Sequence, residues 1–581
     1  MDKKPIRREI RYAVHVPRTD YREDCHYIKE QQFFEDGTSK PHTYMVKDFK
    51  RPIWVTKPAY RNHQQKKEFE SREKTHEQFC TQSDLNKVTA GLLDATHLAH
   101  RPDELKDSPY VYGLDRTSTS LIKMQNLKKN NFIQSPYTVA GSDIETDIDT
   151  REILLMTSVF KHQVHTSILR KFLQGIPDYE DRLDKAIAKY LPEYHDKLKV
   201  KLTVHDTEPE LLKSNFETAN KWAPDFLAFW NINFDMKRIF ERLKEHNVDP
   251  RDVICDKDVP RAYRVCRYKE GISKKVTASG SHKPINPSLQ WHSLLSTSKF
   301  YAIDAMCVYR QIRMAKPEEP SYALNDILDK VLKKRKLTFK EADAYQKEAW
   351  HIFMQKNYPI EYIVYNIFDC LGMLEIDDVT NDLKSGMPSG AGITDFAKYN
   401  SNPRRIVDAL FMFGLKRGLV VGTAGSVKQA KEEEDAIPDE LLDSEEDEEE
   451  DDGVDENGHE SQDKYKGLGL KGWIQMLPQN LLLNEGLKIF HDFPNVRSNF
   501  RGTVFDVDAT AAYPTCTAVA NVSKETCVNE VISIDGISEE SFREQNLSVC
   551  LGGVNSLDYF HVMYSLPSID EVDTLLDAGI F

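Results

Sequence analysis

Three acids fall within five residues of the stretch AGSDIETDI (140–148): Asp143, Glu145 and Asp147. In a strand, residues i and i+2 point to one face, so Asp143 and Glu145 can converge on a single point. Two like charges buried side by side are unfavourable unless a cation sits between them. Mg²⁺ is such a cation: it takes one or two carboxylates, with waters and substrate phosphate completing its shell. The plain alternative is a solvated turn. Asp147 is assigned to that turn, because it shares the parity but falls in the polar run DIDTRE (147–152). Two further stretches offer oxygen ligands. WNINFD (230–235) ends in Asp235, where a strand gives way to a helix, although Asp235 could equally cap that helix. YNIFD (365–369) places Tyr365 and Asp369 four apart on one helix face, the plain alternative being a half-buried tyrosine above a surface acid.

These residues must be held by strands and helices that the sequence pattern predicts. SPYTVAGSDIET and ILLMTSVF form a hairpin carrying the acids near the end of its first strand. A helical stretch, ILRKFLQGIPDYEDRLDKAIAKYL, comes next and is interrupted near Gly175 and Pro177. KVKLTVHD is a strand and EPELLKSNFETANKW a helix with an acidic start. PDFLAFWN is a strand, and MKRIFERLKEHNV an amphipathic helix after it. FYAIDAMCVYRQI reads as a further strand, and PIEYIVYNIFDCLGMLEIDDV has helical spacing. The fold class expected is mixed α/β and multidomain, with helices packed on a sheet.

Length and composition set the frame. A chain of 581 residues predicts three or four domains. Hydrophobic residues make up 40% and charged residues 29%, which reads as globular. There is no run of 18 apolar residues, so no membrane span is expected, and MDKKPIRREIRYAVHV lacks the apolar core of a secretory signal. None of the nine cysteines forms a CxxC, which fits a reducing compartment and argues against a zinc site and a disulfide framework. The net charge of −15 comes from one tract: residues 431–460 hold 18 acids and one lysine, leaving the other 551 residues at +2. Such a tract is expected to be disordered, either as a solvated linker or as a nucleic-acid mimic competing for a basic groove. Residues 261–283 carry seven Arg or Lys against one acid, a composition that suits a phosphate backbone or a solvated loop equally. Arg264, Arg267, Lys274 and Lys275 are the candidate DNA contacts there, with Tyr263 and Tyr268 as candidate stacking residues.

DIE, NINFD and YNIFD in this order resemble the three exonuclease motifs of the family B DNA polymerases, whose proofreading domain is ribonuclease H-like. NVSKETC and EPSYALNDIL resemble stretches of the T-even-type bacteriophage members. The resemblance implies that Asp143, Glu145, Asp235 and Asp369 hold two Mg²⁺ ions, with Mn²⁺ as an alternative, and that Tyr365 orients the attacking water. Two-metal phosphodiester cleavage needs positioning and charge rather than a nucleophilic Ser or Cys. Asn231 and Phe234 would shape the groove; Phe234 is a candidate for packing on the terminal nucleotide, with ordinary core as the favoured reading.

FDVDATAAYPT resembles the first polymerase motif of the same family, DxxSLYPS. It implies Asp508 as a polymerase metal ligand, and Ala511, Ala512 and Tyr513 as nucleotide-binding positions, with Ala-Ala in place of Ser-Leu. The second motif, KxxxNSxYG, is matched only by the Asn-Ser of GGVNSLDYF, and no DTD comes after it. The expected layout is an N-terminal domain (1–135, completed by 376–430), an exonuclease domain (136–375), an acidic linker (431–465) and a partial palm (466–581). On this reading the chain is the amino-terminal part of a phage replicative polymerase. It acts on primer-template and single-stranded DNA in the cytoplasm of the infected host. A separate chain supplies fingers, remaining palm and thumb, and any sliding-clamp contact runs through that chain. The alternatives are a self-sufficient DEDD-type exonuclease and an inactive primer-template-binding subunit.

Overall fold

The computed structural model describes residues 4–130, 134–276, 282–314, 318–387 and 394–423, with two short paired segments at 550–551 and 554–555. Residues 501–581 form a unit separate from 1–500, and the sheets and helices that position the site all belong to the latter. The chain opens with an antiparallel meander of β1 (Arg7–Val16), β2 (Cys25–Phe33) and β3 (Ser39–Lys47). A second sheet places β4 (Arg51–Thr56) between β6 (Thr75–Cys80) and β7 (Val111–Tyr112), and the short β5 (Phe69–Ser71) pairs with Leu419–Val421. The helix Asn402–Lys416 returns to this region, where Phe411 meets the buried Trp54 edge-on.

The central sheet has six strands. These are β8 (Val139–Thr146), β9 (Ile153–Phe160), β10 (Gln163–Leu169), β11 (Lys199–His205) and β12 (Phe226–Phe229), then β17 (Tyr301–Asp304) after two small ladders, β13 (Cys266–Lys269) with β16 (Ser293–Ser296) and β14 (Lys274–Val276) with β15 (His282–Pro284). The order is β11-β10-β9-β8-β12-β17. β8, β9 and β10 run antiparallel in succession, while β8–β12, β12–β17 and β10–β11 are parallel. Apolar side chains alternate between two cores. Ala140, Ile144, Met156 and Leu227 meet the helices Glu208–Trp222 and Ile232–Glu245. Val139, Leu155, Val159 and Ala228 meet the long helix Pro359–Thr380.

Two elements depart from the sequence reading. The helical stretch expected from Ile168 starts late: Ile168 and Leu169 still belong to a third antiparallel strand (Gln163–Leu169), Arg170–Leu173 is a single 3-10 turn, and the α-helix begins at Tyr179, after the expected interruption at the left-handed Gly175 (φ +78°). Second, FYAIDAMCVYRQI is a strand only to Asp304, and Ala305–Ile312 is a helix. Asp304 Oδ1 accepts the Cys307 N–H at 2.9 Å and so caps the helix. Every residue of this helix is buried. It therefore carries no polar face by which helical periodicity could be told from a buried strand.

Candidate functional site: a carboxylate cluster beside an open groove

β8 brings Asp143 and Glu145 to the face that packs on the helix Pro359–Thr380. Gly141 permits the close approach: a Cβ there would lie 2.9 Å from the Cys370 carbonyl oxygen and 2.9 Å from Met373 Cε. That helix turns Tyr362, Tyr365, Asn366 and Asp369 toward β8, the i, i+3, i+4, i+7 positions of one stripe. Asp143, Glu145 and Asp369 each offer an oxygen, all within 4.8 Å of one another. Tyr365 and Asp369 are 7% and 6% exposed, so neither is a surface residue.

Asp235 approaches from the other side of the sheet and is not among the three acids within 4.8 Å of one another. β12 pairs with β8 only through Gly141, so beyond it β8 has a free edge. There Asp235 Oδ1 accepts the Ile144 N–H at 3.1 Å, satisfying a ladder donor that the short strand leaves over. Asp235 therefore does not cap its own helix. The N-cap position is Asn231, in a left-handed conformation (φ +79°), which lets the chain turn directly from β12 into the helix. A buried carboxylate also holds this junction: Asp304 Oδ2 accepts the Ile232 N–H at 2.9 Å.

Further partners of these acids lie outside the residues singled out in the sequence motifs. Asn366 Nδ2 donates to Asp143 Oδ2 at 2.6 Å, and the Tyr362 hydroxyl donates to Glu145 Oε2. Tyr362 in turn lies 2.8 Å from His351 Nδ1 and accepts from Gln355 Nε2 at 3.2 Å. Lys336 Nζ donates to Asp369 Oδ2 at 2.5 Å and to the Tyr365 hydroxyl at 3.1 Å. Lys336 sits in a loop whose backbone is pinned by its own N–H to Asn325 Oδ1 at 3.0 Å. For Tyr362 and Asn366 a signal existed, the same helical stripe that marks Tyr365 and Asp369. For Lys336, in an aperiodic run, there was none.

The electrostatics follow from burial. Asp143 is pushed well above the usual carboxylate range by burial, then by the charges of Asp235, Glu145 and Asp369. Burial raises Glu145 to about 7 and lifts Asp235 well above its ordinary value. Asp369 is also raised by burial, with the Lys336 ammonium opposing the shift. Burial raises the Tyr365 phenol too, so it stays protonated and can donate. Asp369 Oδ1 is buried without a hydrogen-bond partner. Converging all-oxygen donors, like charges and an unpartnered carboxylate oxygen together suit a hard divalent cation.

A groove of about 400 Å³ opens beside the acids, lined by Asp143, Asp369, Lys336, Asn231, Trp230 and Tyr322. A second depression of about 420 Å³ shares Asn231 and adds Phe234, Arg151, Lys237 and Arg238. Phe234, expected in the core, is 53% exposed on this surface. It lies in the first turn of its helix on the side away from Ile232 and Met236, which take the core positions. The basic segment is more engaged than its composition suggests. Arg264 donates to the Val259 and Lys257 carbonyls and to Asp252 Oδ1, so its guanidinium is held within the protein. Tyr268 is half-buried, donating to Asn233 Oδ1 at 2.8 Å and stacking on His292, and so presents no free ring for a base. Arg267 and Lys274 are exposed, and Lys275 lies in β14. Asp147 keeps to its turn, accepting the Asp149 and Thr150 N–H groups at 3.0 and 2.8 Å. Asp508, Ala511, Ala512, Tyr513 and the acidic tract lie outside the described residues.

Residues 66–327 match the family model described as DNA polymerase family B, exonuclease domain. A comparison with curated proteins finds no match. The matched range takes in Asp143, Glu145 and Asp235 and stops before Lys336, Tyr365 and Asp369, so the place of these three rests on geometry.

Proposed function

We propose that the chain is a divalent-metal-dependent 3′→5′ exonuclease acting on DNA ends, the proofreading part of a family B polymerase. The observation that carries this reading is the convergence of Asp143, Glu145 and Asp369 within 4.8 Å, in a region whose first two motifs fall inside the family B exonuclease match. Asp143, Glu145, Asp235 and Asp369 would hold two Mg²⁺ ions, or Mn²⁺. When bound, the ions supply charge that activates water and stabilises the leaving oxygen. The chain's own residues do the rest. Asn366 and Tyr362 fix the Asp143 and Glu145 carboxylates in place without reorganisation, Asp143 at the wall of the groove. The protonated Tyr365 hydroxyl, held by Lys336, orients water at the scissile phosphate. Phe234 offers an exposed ring against which a base near the 3′ end can stack.

The test is degradation of 5′-labelled single-stranded DNA with Mg²⁺, comparing wild type with Asp143→Ala plus Glu145→Ala. The expected loss is about 10²–10³-fold or more. Equal, near-zero rates for both proteins would instead favour a binding subunit.

The wider reading is that this is the amino-terminal part of a T-even-type phage polymerase working in the host cytoplasm. Its layout is 1–135 with 376–430, 136–375, 431–465 and 466–581. Asp508 and Tyr513 would begin a palm completed by a second chain bearing fingers and thumb. The sequence motif FDVDATAAYPT supports it. Mixing the chain with a candidate carboxyl-terminal fragment should yield Mg²⁺-dependent primer extension. Failure with every neighbouring gene product would leave a self-sufficient exonuclease.

A further inference from the structure

Far from the carboxylates in sequence, the turn end of the first hairpin gathers a different donor set. His15 and His26 are directly opposed across β1 and β2, with ring centroids 5.0 Å apart, and Asp24 immediately precedes β2. One ligand atom from each of the three lies within 4.8 Å of the others. Asp24 Oδ2 is 3.0 Å from His15 Nε2 and accepts the Ser83 N–H at 3.0 Å, while Asp24 Oδ1 is buried with no hydrogen-bond partner. His26 Nε2 is 2.7 Å from Ser118 Oγ, and its Nδ1 is likewise buried with no hydrogen-bond partner. Asp24 and His26 are both fully buried.

We propose that His15, Asp24 and His26 form a second metal site, one for a transition-metal dication of the zinc class. Two imidazoles and a carboxylate suit zinc, whereas Mg²⁺ prefers oxygen alone. The chemistry of each donor fits. Burial pushes His26 down to about 4, so its ring is neutral, and the hydrogen bond at Nε2 orients the other nitrogen's lone pair. Asp24 sits below its usual range: burial opposes this, but the His15 and Ser83 hydrogen bonds keep the carboxylate ionised. Cys25 is not a competing ligand. Strand alternation turns it to the opposite face, and burial raises its thiol to about 11. His15 is half-buried, which gives an ion a way in and leaves room for water in a fourth position. The cysteine spacing that argued against a zinc site speaks only to thiolate ligands. Through Ser83 and Ser118 a bound ion would tie the hairpin to the segment after β6 and to the start of the helix Ser118–Lys129.

The experiment measures zinc held by the full chain carrying Asp143→Ala and Asp369→Ala, which removes the carboxylate cluster as a competitor. After dialysis against zinc and desalting, one zinc per chain is expected, with a zinc-dependent rise in melting temperature. Adding His15→Gln, or separately His26→Asn, should weaken binding about 100-fold or more and abolish the rise. His15→Gln replaces a partly exposed side chain, and its circular dichroism spectrum should match that of the parent. A parent that holds no zinc, or zinc retained undiminished by both variants, would overturn the proposal and leave an ordinary His–Asp hydrogen bond.

Discussion

Asp225, immediately before β12, and Asp143, on the neighbouring strand β8, have carboxyls shifted in opposite directions. Asp225, just before β12, accepts the Thr138 N–H at 2.9 Å and faces Lys29 Nζ at 3.1 Å and Arg11 Nε at 3.6 Å. Burial pushes its carboxyl up, but Lys29 and Arg11 override this and hold it below the usual range. Asp143 has acids for neighbours, and burial and charge push it the same way, upward. Carboxylates with their own cations are structural, because the ion pair is complete within the chain. Carboxylates gathered without enough cations are poised for an ion from outside.

The largest effects should separate these two places by their readouts. Asp225→Ala leaves buried Lys29 without its carboxylate partner and Arg11 with Glu9 alone, and should cost about 3–5 kcal/mol in urea melts. Asp143→Ala with Glu145→Ala should instead leave the metal-free melting temperature unchanged or raised, while nuclease turnover falls by about 10²–10³-fold or more. A double variant as unstable as Asp225→Ala would break the contrast.

Lys336→Met should sharpen it. Asp369 then loses the cation that bonds its Oδ2, and the metal-free protein should lose about 1.5–3 kcal/mol. Mg²⁺ should restore more stability in this variant than in wild type, read as the difference in melting temperature with and without the ion.

pH supplies opposite signs. Glu145 has a folded value of about 7 against an ordinary 4.5, so the metal-free folded state keeps a proton that the unfolded chain releases. Its contribution is present below about 4.5 and lost as pH rises toward 7, so metal-free stability should fall across that window. Saturating Mg²⁺ should flatten this slope. Asp225, shifted down from 3.8, contributes above that value and loses its contribution as pH falls below it. Melts from about pH 3 to 8 in wild type and in the Asp143→Ala, Glu145→Ala variant test both limbs.

The smallest stability effect belongs to Phe234→Ala, within about 0.5 kcal/mol because the ring is exposed. KM for single-stranded DNA should rise several-fold with kcat little changed. A large loss of stability would return Phe234 to the core reading.

The sequence by itself determined what local periodicity controls. Alternation along β8 set Asp143 and Glu145 on one face, and helical spacing set Tyr365 with Asp369, because side-chain direction repeats every two or 3.6 residues whatever the surroundings. The β8–β9 hairpin, the helix Pro359–Thr380 and the turn at Asp147 were legible for the same reason. Periodicity failed where burial is uniform, at Ala305–Ile312, and at Ile168 and Leu169, which end a third strand of the sheet instead of beginning a helix. Only the tertiary structure decided that Lys336 bonds Asp369, that Asp235 takes the Ile144 N–H, that Phe234 faces outward, and that His15, Asp24 and His26 meet at one hairpin end. These depend on strand length, loop path and cross-strand register, which bring together groups with no common period in the chain.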